Sequence, residues 1–324
     1  MPLAHRRRIA SLAAAVLAGA AALNAEPDGG IISAARDAAI PPWESLPTAY
    51  RAQLSRAELD RIRSDRRFEC LRVIYASGGL RVTGFVYKPA RIPRAAALPV
   101  VVYNRGGNRD YGAIDVWDKV IFHRLAESGF VVLASQYRGA DGGEGSDEFG
   151  GSDVEDVLSL FPLARRLGYV DMSRVFMLGF SRGGMMTYLA IRDGAPIRAA
   201  AVIGGVSDLP ALAAFRPRFL SLWASLWPSF ERDGQTQMVE RSAIRWAERI
   251  DKPLLLLHGV ADRRVPLDQS LRLAAALRRS GRPVELRVFP GEGHELAGRA
   301  RERDDEVIGW FRSHGAAAAP SRPG

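Results

Sequence analysis

The segment RVFMLGFSRGGMMTYLAI (residues 174–191) carries the strongest indication of the fold of this chain. Its first seven residues form an apolar run typical of a buried strand, and residues 182–191 have the pattern of a helix. Between them lies G-x-S-x-G, in which Gly179 and Gly183 lack the side chains that would clash in a tight turn. The pattern predicts a sharp strand-to-helix turn that exposes the hydroxyl of Ser181, provided that an acid and a histidine follow later in the chain.

The alternation of strand and helix continues on both sides of this turn. Amphipathic helical segments separate apolar strand-like runs at residues 98–104, 130–137, 197–205, 252–259 and 284–290. Two earlier strand-like runs flank Ser77-Gly78-Gly79 and predict a hairpin. Unbroken apolar strands alternating with helices are typical of a parallel sheet covered on both faces. We therefore predict an α/β fold with a mostly parallel central sheet.

Residues 206–250 interrupt this alternation and are rich in aromatic side chains. We expect a small helical cap insertion here. Two interpretations of its aromatics stay open: they pack extra helices onto the core, or they also line the substrate pocket. For Trp223 and Trp227 we predict that both face the pocket.

The residues that would activate Ser181 follow in the order acid, then base. His294 lies in a glycine-rich loop directly after the last strand-like run, where its imidazole can reach the serine. Asp262 lies in the loop after the preceding strand, where it can fix the tautomer of that imidazole. Asp268 competes with Asp262 but falls inside a predicted helix. His258 ends a strand, where its side chain could be structural.

Motifs in this order resemble the catalytic domain of the prolyl oligopeptidase family of serine hydrolases: YRGADGGEG (137–145), GFSRGGMM (179–186), HGVADRRVP (258–266) and GEGHEL (291–296). The resemblance runs from about residue 68 to residue 314. It implies an α/β-hydrolase fold, with Ser181 as the nucleophile, Asp262 as the acid and His294 as the base. It also implies cleavage of acyl bonds through an acyl-enzyme, without a cofactor.

Negative charge that develops on a substrate carbonyl requires hydrogen-bond donors near the serine. The backbone N–H of Arg182 is the expected first donor, and the N–H of Gly106 or Gly107 is the expected second. Family members often carry Tyr or His where Arg105 stands in YNRGGN (103–108), which puts a tyrosine side-chain donor in doubt. We predict that Arg105 instead contacts an anionic or carbonyl group of the substrate.

An acidic, glycine-rich run occupies residues 141–156. We expect it to be solvated or to pair with nearby arginines such as Arg138, although its carboxylates could also select a substrate amine. Asp153 is expected to cap the helix that follows.

Composition excludes several other classes of protein. The 324 residues carry a formal net charge of +9, but the arginines are scattered and form no basic stripe, so we expect no nucleic-acid partner. The single cysteine, Cys70, rules out an intramolecular disulfide and is expected to be a small core residue. Neither CxxC nor HExxH spacing occurs, so we expect no metal site. The expected partner is a small ester or a short peptide, and the oligomeric state stays open.

The first 25 residues have the order of an export signal. Basic residues at 5–8 precede an apolar run at 9–23, and small residues allow cleavage after Ala25 or Ala22. We therefore expect a periplasmic or secreted protein without a membrane span after cleavage. Either the general secretory route or the twin-arginine route could export it. The rival interpretations are an uncleaved N-terminal anchor and a misassigned start.

The remaining chain divides into an N-terminal extension with a helix (26–67), the catalytic domain (68–314) and a flexible tail (315–324). Fewer than 80 residues lie between the signal and the catalytic domain, too few for the β-propeller of the family's larger peptidases. The resemblance favours a peptidase, whereas the missing propeller and the aromatic insertion favour a carboxylesterase. A non-catalytic binding module on the same scaffold is the third alternative.

Overall fold

The computed structural model describes residues 27–37 and 40–315. The predicted export signal and all but the first residue of the predicted tail lie outside the described residues.

A nine-stranded sheet forms the centre of the described chain. Its strands are β1 (Ile31–Arg36), β2 (Phe68–Ser77), β3 (Leu80–Pro89), β4 (Leu98–Asn104), β5 (Val131–Ser135), β6 (Val170–Phe180), β7 (Ala199–Ile203), β8 (Leu254–Gly259) and β9 (Val284–Phe289). They lie in the order β1-β2-β3-β5-β4-β6-β7-β8-β9. The pairings from β5 to β9 are parallel, and those among β1, β2, β3 and β5 are antiparallel. The predicted mostly parallel sheet is confirmed.

The predicted hairpin joins β2 to β3. Ser77 pairs with Leu80, which leaves Gly78 and Gly79 as a two-residue turn. Their φ angles of 55° and 76° are both positive, as tight hairpin turns between twisted strands require.

Helices cover both faces of the sheet. The α-helices of the described residues are α1 (Thr48–Arg51), α2 (Arg56–Ser64), α3 (Val116–Glu127), α4 (Val154–Leu158), α5 (Leu160–Arg166), α6 (Arg182–Arg192), α7 (Leu209–Phe215), α8 (Arg218–Leu226), α9 (Phe230–Glu240), α10 (Asp268–Arg279) and α11 (Ala300–Gly315). Side chains of β4 alternate between two cores: Val100 and Val102 join the core beneath α4, α5, α6 and α10, while Val101 and Tyr103 join the core beneath α3 and α11. This two-sided burial explains the unbroken apolar strands.

Segment 206–250, all of which the structure describes, contains α7, α8 and α9. The ring centroids of Trp223 and Trp227 lie 5.4 Å apart with planes inclined by 4°. The indole N–H of Trp227 donates to the carbonyl of Glu148 at 2.6 Å. Both indoles belong to the core, so they anchor the insertion to the domain.

The N-terminal extension packs against α3. Leu46, Leu59 and Ile62 form a small core with Val116 and Val120 of α3. The hydroxyl of Ser55 caps α2 by accepting the N–H of Glu58. With the extension packed in this way, Tyr50 of α1 lines the cavity described below.

Within residues 27–37 and 40–315, no helix combines the length and apolar character needed to cross a membrane.

Candidate active site

Ser181 occupies the sharp turn between β6 and α6. Its φ of 57° and ψ of −119° are rare for a residue with a side chain, and its N–H donates to the carbonyl of Ile203 at 2.9 Å. A Cβ on Gly179 would lie 2.5 Å from the carbonyl oxygen of Gly183, and one on Gly183 would lie 1.8 Å from that of Asn104. Both glycines are therefore required by close backbone approach, as the motif predicted.

Asp262 holds His294 by a direct hydrogen bond. The imidazole Nδ1 lies 2.7 Å from Oδ2 of Asp262, and both side chains are buried. The other carboxylate oxygen accepts the N–H groups of Arg264 and Val265 at 2.8 and 2.9 Å. Burial alone would raise the pKa of Asp262, but hydrogen bonds from His258 and His294 hold that pKa well below its usual range. Asp262 is therefore an anion that orients the imidazole.

His258 is buried and structural, as its position at a strand end suggested. Its Nδ1 lies 2.7 Å from the hydroxyl oxygen of Ser270, and its Nε2 lies 2.9 Å from the carbonyl oxygen of Val265. The Nε2 atom is also 3.3 Å from Oδ2 of Asp262. His258 thus fixes the loop that carries the acid.

Ser181 and His294 line one cavity of about 830 Å³ at the carboxyl edge of the sheet. The ring of Phe180 lies 5.0 Å from the imidazole, centroid to centroid. Gly204, directly after β7, has a φ of +56°, and a Cβ there would lie 3.0 Å from Nδ1 of His294. Sequence reasoning missed Gly204, although the pair Gly204-Gly205 at the end of a strand is a visible signal for close approach.

Backbone N–H groups without an acceptor among the described residues border the cavity beside the serine. Gly106 and Gly107 line the cavity, and a Cβ on Gly106 would lie 3.1 Å from the Cβ of Ser181. Within the described part of the chain, the N–H groups of Gly106, Gly107 and Arg182 donate to no acceptor. These are the N–H groups predicted to stabilise an oxyanion, and that role, including the choice between the two glycines, stays a prediction.

The side chain of Arg182 is buried within the acidic run at 141–156. It lies 2.7 Å from a carboxylate oxygen of Asp147, contacts Asp153 directly, and stacks 4.6 Å from the ring centroid of Phe149. Burial alone would lower the pKa of Arg182, but the two carboxylates raise it. The acidic run therefore pairs with arginines. Asp153 makes no capping hydrogen bond to α4, contrary to expectation, because it pairs with Arg182.

The prediction that Arg105 contacts substrate is wrong. Its side chain is completely buried and does not line the cavity. The guanidinium donates to backbone carbonyls, including those of Gln136 at 2.7 Å and Arg109 at 2.6 Å. Arg105 therefore braces the loop that contains Gly106 and Gly107, and it has no donor left to offer a ligand.

The prediction that Trp223 and Trp227 face the pocket is also wrong. Both indoles are buried in the core, where they stack on each other and Trp223 also packs against the tilted ring of Phe149. The cap contributes Phe219 and Leu222 to the cavity wall instead. Phe219 and Trp223 are four residues apart and share a face of α8, with ring centroids 5.4 Å apart, so helical periodicity could not tell which of the two reaches the cavity.

Three potential metal ligands, Asp65, His123 and Glu127, lie together away from this cavity. The carboxylate oxygens nearest the imidazole already accept hydrogen bonds from Arg67, at 2.6 Å from Asp65 and 2.9 Å from Glu127. Arginine therefore supplies the positive charge that these carboxylates need.

Comparison with known proteins identifies the family. The model of the prolyl oligopeptidase family matches residues 117–316. The uncharacterized peptidase YtmA of Bacillus subtilis (strain 168) is 33% identical over 232 residues, which span 71% of this chain and 88% of that protein. The human acylamino-acid-releasing enzyme is 28% identical, over 73% of this chain and 34% of its own length.

Solved structures have the same fold. A puromycin-hydrolyzing peptidase of Mycobacterium tuberculosis is 28% identical with a TM-score of 0.61, over 74% of this chain and 38% of that chain. An acylaminoacyl peptidase of Pyrococcus horikoshii is 23% identical with a TM-score of 0.64, over 79% of this chain and 43% of that chain. The chain thus spans most of the Bacillus relative but less than half of these longer proteins. From the family match and the relative at 33% identity, the chain belongs to the prolyl oligopeptidase family of serine hydrolases.

Proposed function

We propose that the protein is a serine peptidase that cleaves acyl bonds of short peptides through an acyl-enzyme on Ser181. One observation carries the proposal. A serine on a strained turn lines the same cavity as His294, whose Nδ1 is hydrogen bonded to the buried carboxylate of Asp262 at 2.7 Å. A Bacillus relative and a Mycobacterium structure that are both named as peptidases support the peptide substrate.

In the proposed mechanism each of these residues has one step. Asp262 accepts the Nδ1–H of His294, which leaves the lone pair of Nε2 to take the proton of Ser181. The serine oxygen then bonds to the substrate carbonyl carbon, and the carbonyl oxygen becomes an anion. The N–H of Arg182 and that of Gly106 or Gly107 stabilise this anion, and the positive N-terminal end of α6 lies beside it.

Collapse of the tetrahedral intermediate completes acylation. The bond to the leaving nitrogen breaks as His294 returns its proton to that nitrogen, and the acyl group stays on the serine. His294 then takes a proton from water, which attacks the acyl carbon. Breakdown of the second tetrahedral intermediate releases the acid and restores the serine hydroxyl.

Carboxylesterase activity is the second candidate function. It is favoured by the apolar part of the cavity wall, which includes Phe149, Phe180, Phe219 and Leu222 and suits an uncharged acyl chain. The same catalytic residues would serve both reactions.

A substrate panel separates the two candidates. We would measure kcat/KM on p-nitrophenyl acetate and butyrate and on aminoacyl, prolyl and N-acylaminoacyl p-nitroanilides, with Ser181→Ala as the blank. Esters are cleaved more easily than amides, so efficient anilide cleavage identifies a peptidase. Fast ester cleavage with inert anilides would replace the proposal with a carboxylesterase.

Labelling by a fluorophosphonate tests the nucleophile independently of the substrate. The folded protein should be labelled and the folded Ser181→Ala variant should not. Failure to label the folded wild-type protein would favour the non-catalytic binding module.

We further propose that residues 1–25 direct export, on the basis of their basic start, apolar run and small-residue end. Fractionation followed by N-terminal sequencing should find a chain that begins at Glu26 or Leu23 outside the cytoplasm. An intact Met1 on an exported protein would indicate an uncleaved anchor, and an intact cytoplasmic chain would refute export.

A further inference from the structure

Two arginines line the catalytic cavity without pairing with a carboxylate. Arg216 follows α7, and Arg218 begins α8. Arg216 donates to the carbonyl of Arg264 at 3.1 Å and lies 5.5 Å from the ring centroid of Phe219. Within the described ranges, the exposed side chain of Arg218 makes no hydrogen bond, ion pair or ring contact. The cavity therefore contains two guanidinium groups with unused donors.

Nearby charges do not neutralise this pair. Arg264 also lines the cavity, but Glu295 already pairs with it at 2.7 Å. The remaining carboxylates of the cavity wall accept hydrogen bonds from backbone N–H groups and tyrosine hydroxyls; they belong to Asp110, Asp115 and Asp118. Among the described residues, no carboxylate forms an ion pair with Arg216 or Arg218.

The position of Arg218 is electrostatically unfavourable for the free protein. It is the first residue of α8, where the partial positive charge of the helix N-terminus disfavours a second positive charge. Arg216 adds another positive charge two residues earlier. An anion between these groups would gain hydrogen bonds and would relieve the repulsion.

Building on the proposed function, we infer that Arg216 and Arg218 bind a carboxylate of the substrate. The cavity then combines an apolar wall, which suits an uncharged part of the substrate, with a cationic wall, which suits its acidic group. The carboxylate can come from the acyl side of the scissile bond or from the free C-terminus of the leaving peptide. Both sources have the same chemistry, and the substrates below distinguish them.

Matched substrates test the inference. The first pair is N-succinyl-phenylalanine p-nitroanilide and its N-succinamyl analogue, in which a neutral carboxamide replaces the carboxylate on the acyl side. The second pair is a short N-acetylated peptide with a free C-terminal carboxylate and the same peptide with a C-terminal amide. We would compare kcat/KM within each pair for the wild type, Arg216→Gln, Arg218→Gln and the double variant.

We expect the wild type to prefer the carboxylate in one of the pairs by about three- to tenfold, the range of charge-assisted hydrogen bonds at a partly exposed site. Each single variant should reduce that preference, and the double variant should abolish it. Added salt should also weaken the preference, because exposed charges are screened over about 10 Å at 0.1 M salt. Arg165→Gln is the matched control, since Arg165 is an exposed arginine on α5 outside the cavity.

Equal kcat/KM for both members of both pairs in the wild type would overturn the inference while leaving the proposed function intact. So would an unchanged carboxylate preference in the double variant. If no substrate is turned over faster than with Ser181→Ala, the proposed function fails instead. Calorimetric titration of the folded Ser181→Ala variant then tests the anion site directly, with N-succinyl- and N-succinamyl-phenylalaninamide as one pair and the peptide acid and its amide as the other. Equal affinities within both pairs would overturn the inference.

Discussion

Replacing Asp262 with Asn tests the central part of the proposed mechanism. In the wild type, one carboxylate oxygen accepts the N–H groups of Arg264 and Val265, at 2.8 and 2.9 Å, and the other faces Nδ1 of His294 at 2.7 Å. The amide oxygen of Asn can keep both backbone bonds, so its NH₂ group must face Nδ1. Nδ1 of His294 must then accept a hydrogen bond from the NH₂ group, so the imidazole carries its proton on Nε2. A protonated Nε2 cannot accept the proton of Ser181.

The expected loss follows from this change of tautomer. We expect kcat/KM to fall about 10⁴-fold, the scale of the corresponding change in serine proteases and equivalent to about 5.4 kcal/mol of transition-state stabilisation. The free energy of unfolding should fall by only about 1 kcal/mol, because both backbone hydrogen bonds remain. The assay is kcat/KM on the best substrate of the panel, with the urea midpoint measured on the same preparation.

Asp268→Asn is the matched control, because Asp268 is the nearest acid that the sequence offered as an alternative. Its side chain is exposed on α10 and lies 3.6 Å from Arg272. The control should keep kcat/KM within about twofold of the wild type, as surface substitutions usually do. A folded Asp262→Asn protein that retained more than a tenth of wild-type activity would refute the assigned role of Asp262.

Further predictions concern the close approach of Gly204 to His294, the buried guanidinium of Arg105 and the ion pair between Arg67 and Asp65. Gly204→Ala should lower kcat/KM at least about tenfold, because its Cβ would press on Nδ1 of His294 at a positive φ; unchanged kinetics in the folded variant would contradict this. Arg105→Gln should reduce the free energy of unfolding by about 3 kcal/mol, because buried carbonyls lose their donors; a denaturation midpoint equal to that of the wild type would show that the brace is dispensable. The hydrogen bond from Arg67 lowers the pKa of Asp65 to about 2. The pairing of these two residues should therefore stabilise the fold above about pH 4, and this stabilisation should be lost as the pH falls towards 2. Urea midpoints of the wild type and Arg67→Gln should therefore converge at low pH, and a gap independent of pH would count against this pairing.

Much of the catalytic arrangement could be predicted from the sequence because its signals are local. The turn at Ser181 needs two glycines within five residues, and close backbone contacts at Gly179 and Gly183 explain both. Asp262 lies in the loop after β8 and His294 in the loop after β9, and both strands belong to the parallel part of the sheet. Because the carboxyl ends of parallel strands meet at one edge, residues far apart in sequence meet there as well.

The role of Arg105 could not be read in the same way. Its neighbours in sequence resemble a substrate-binding loop, but its carbonyl partner Gln136 is 31 residues away. Whether a cation faces a ligand or the protein interior depends on which carbonyls the folded chain leaves without donors. Which carbonyls lack donors is settled only when the loops have packed.

Residue patterns were enough to predict the α/β class, the mostly parallel sheet, the turn at Ser181 and the order of the residues expected to act with it. Each of these depends on periodicity or on a short motif, and both are properties of neighbouring residues. Only the folded chain shows that Trp223 and Trp227 belong to the core and that Arg216 and Arg218 reach the cavity. Aromatic and charged side chains have the same periodicity in a core and in a pocket wall. Which surface they cover is set by long-range packing, and neither composition nor spacing records it.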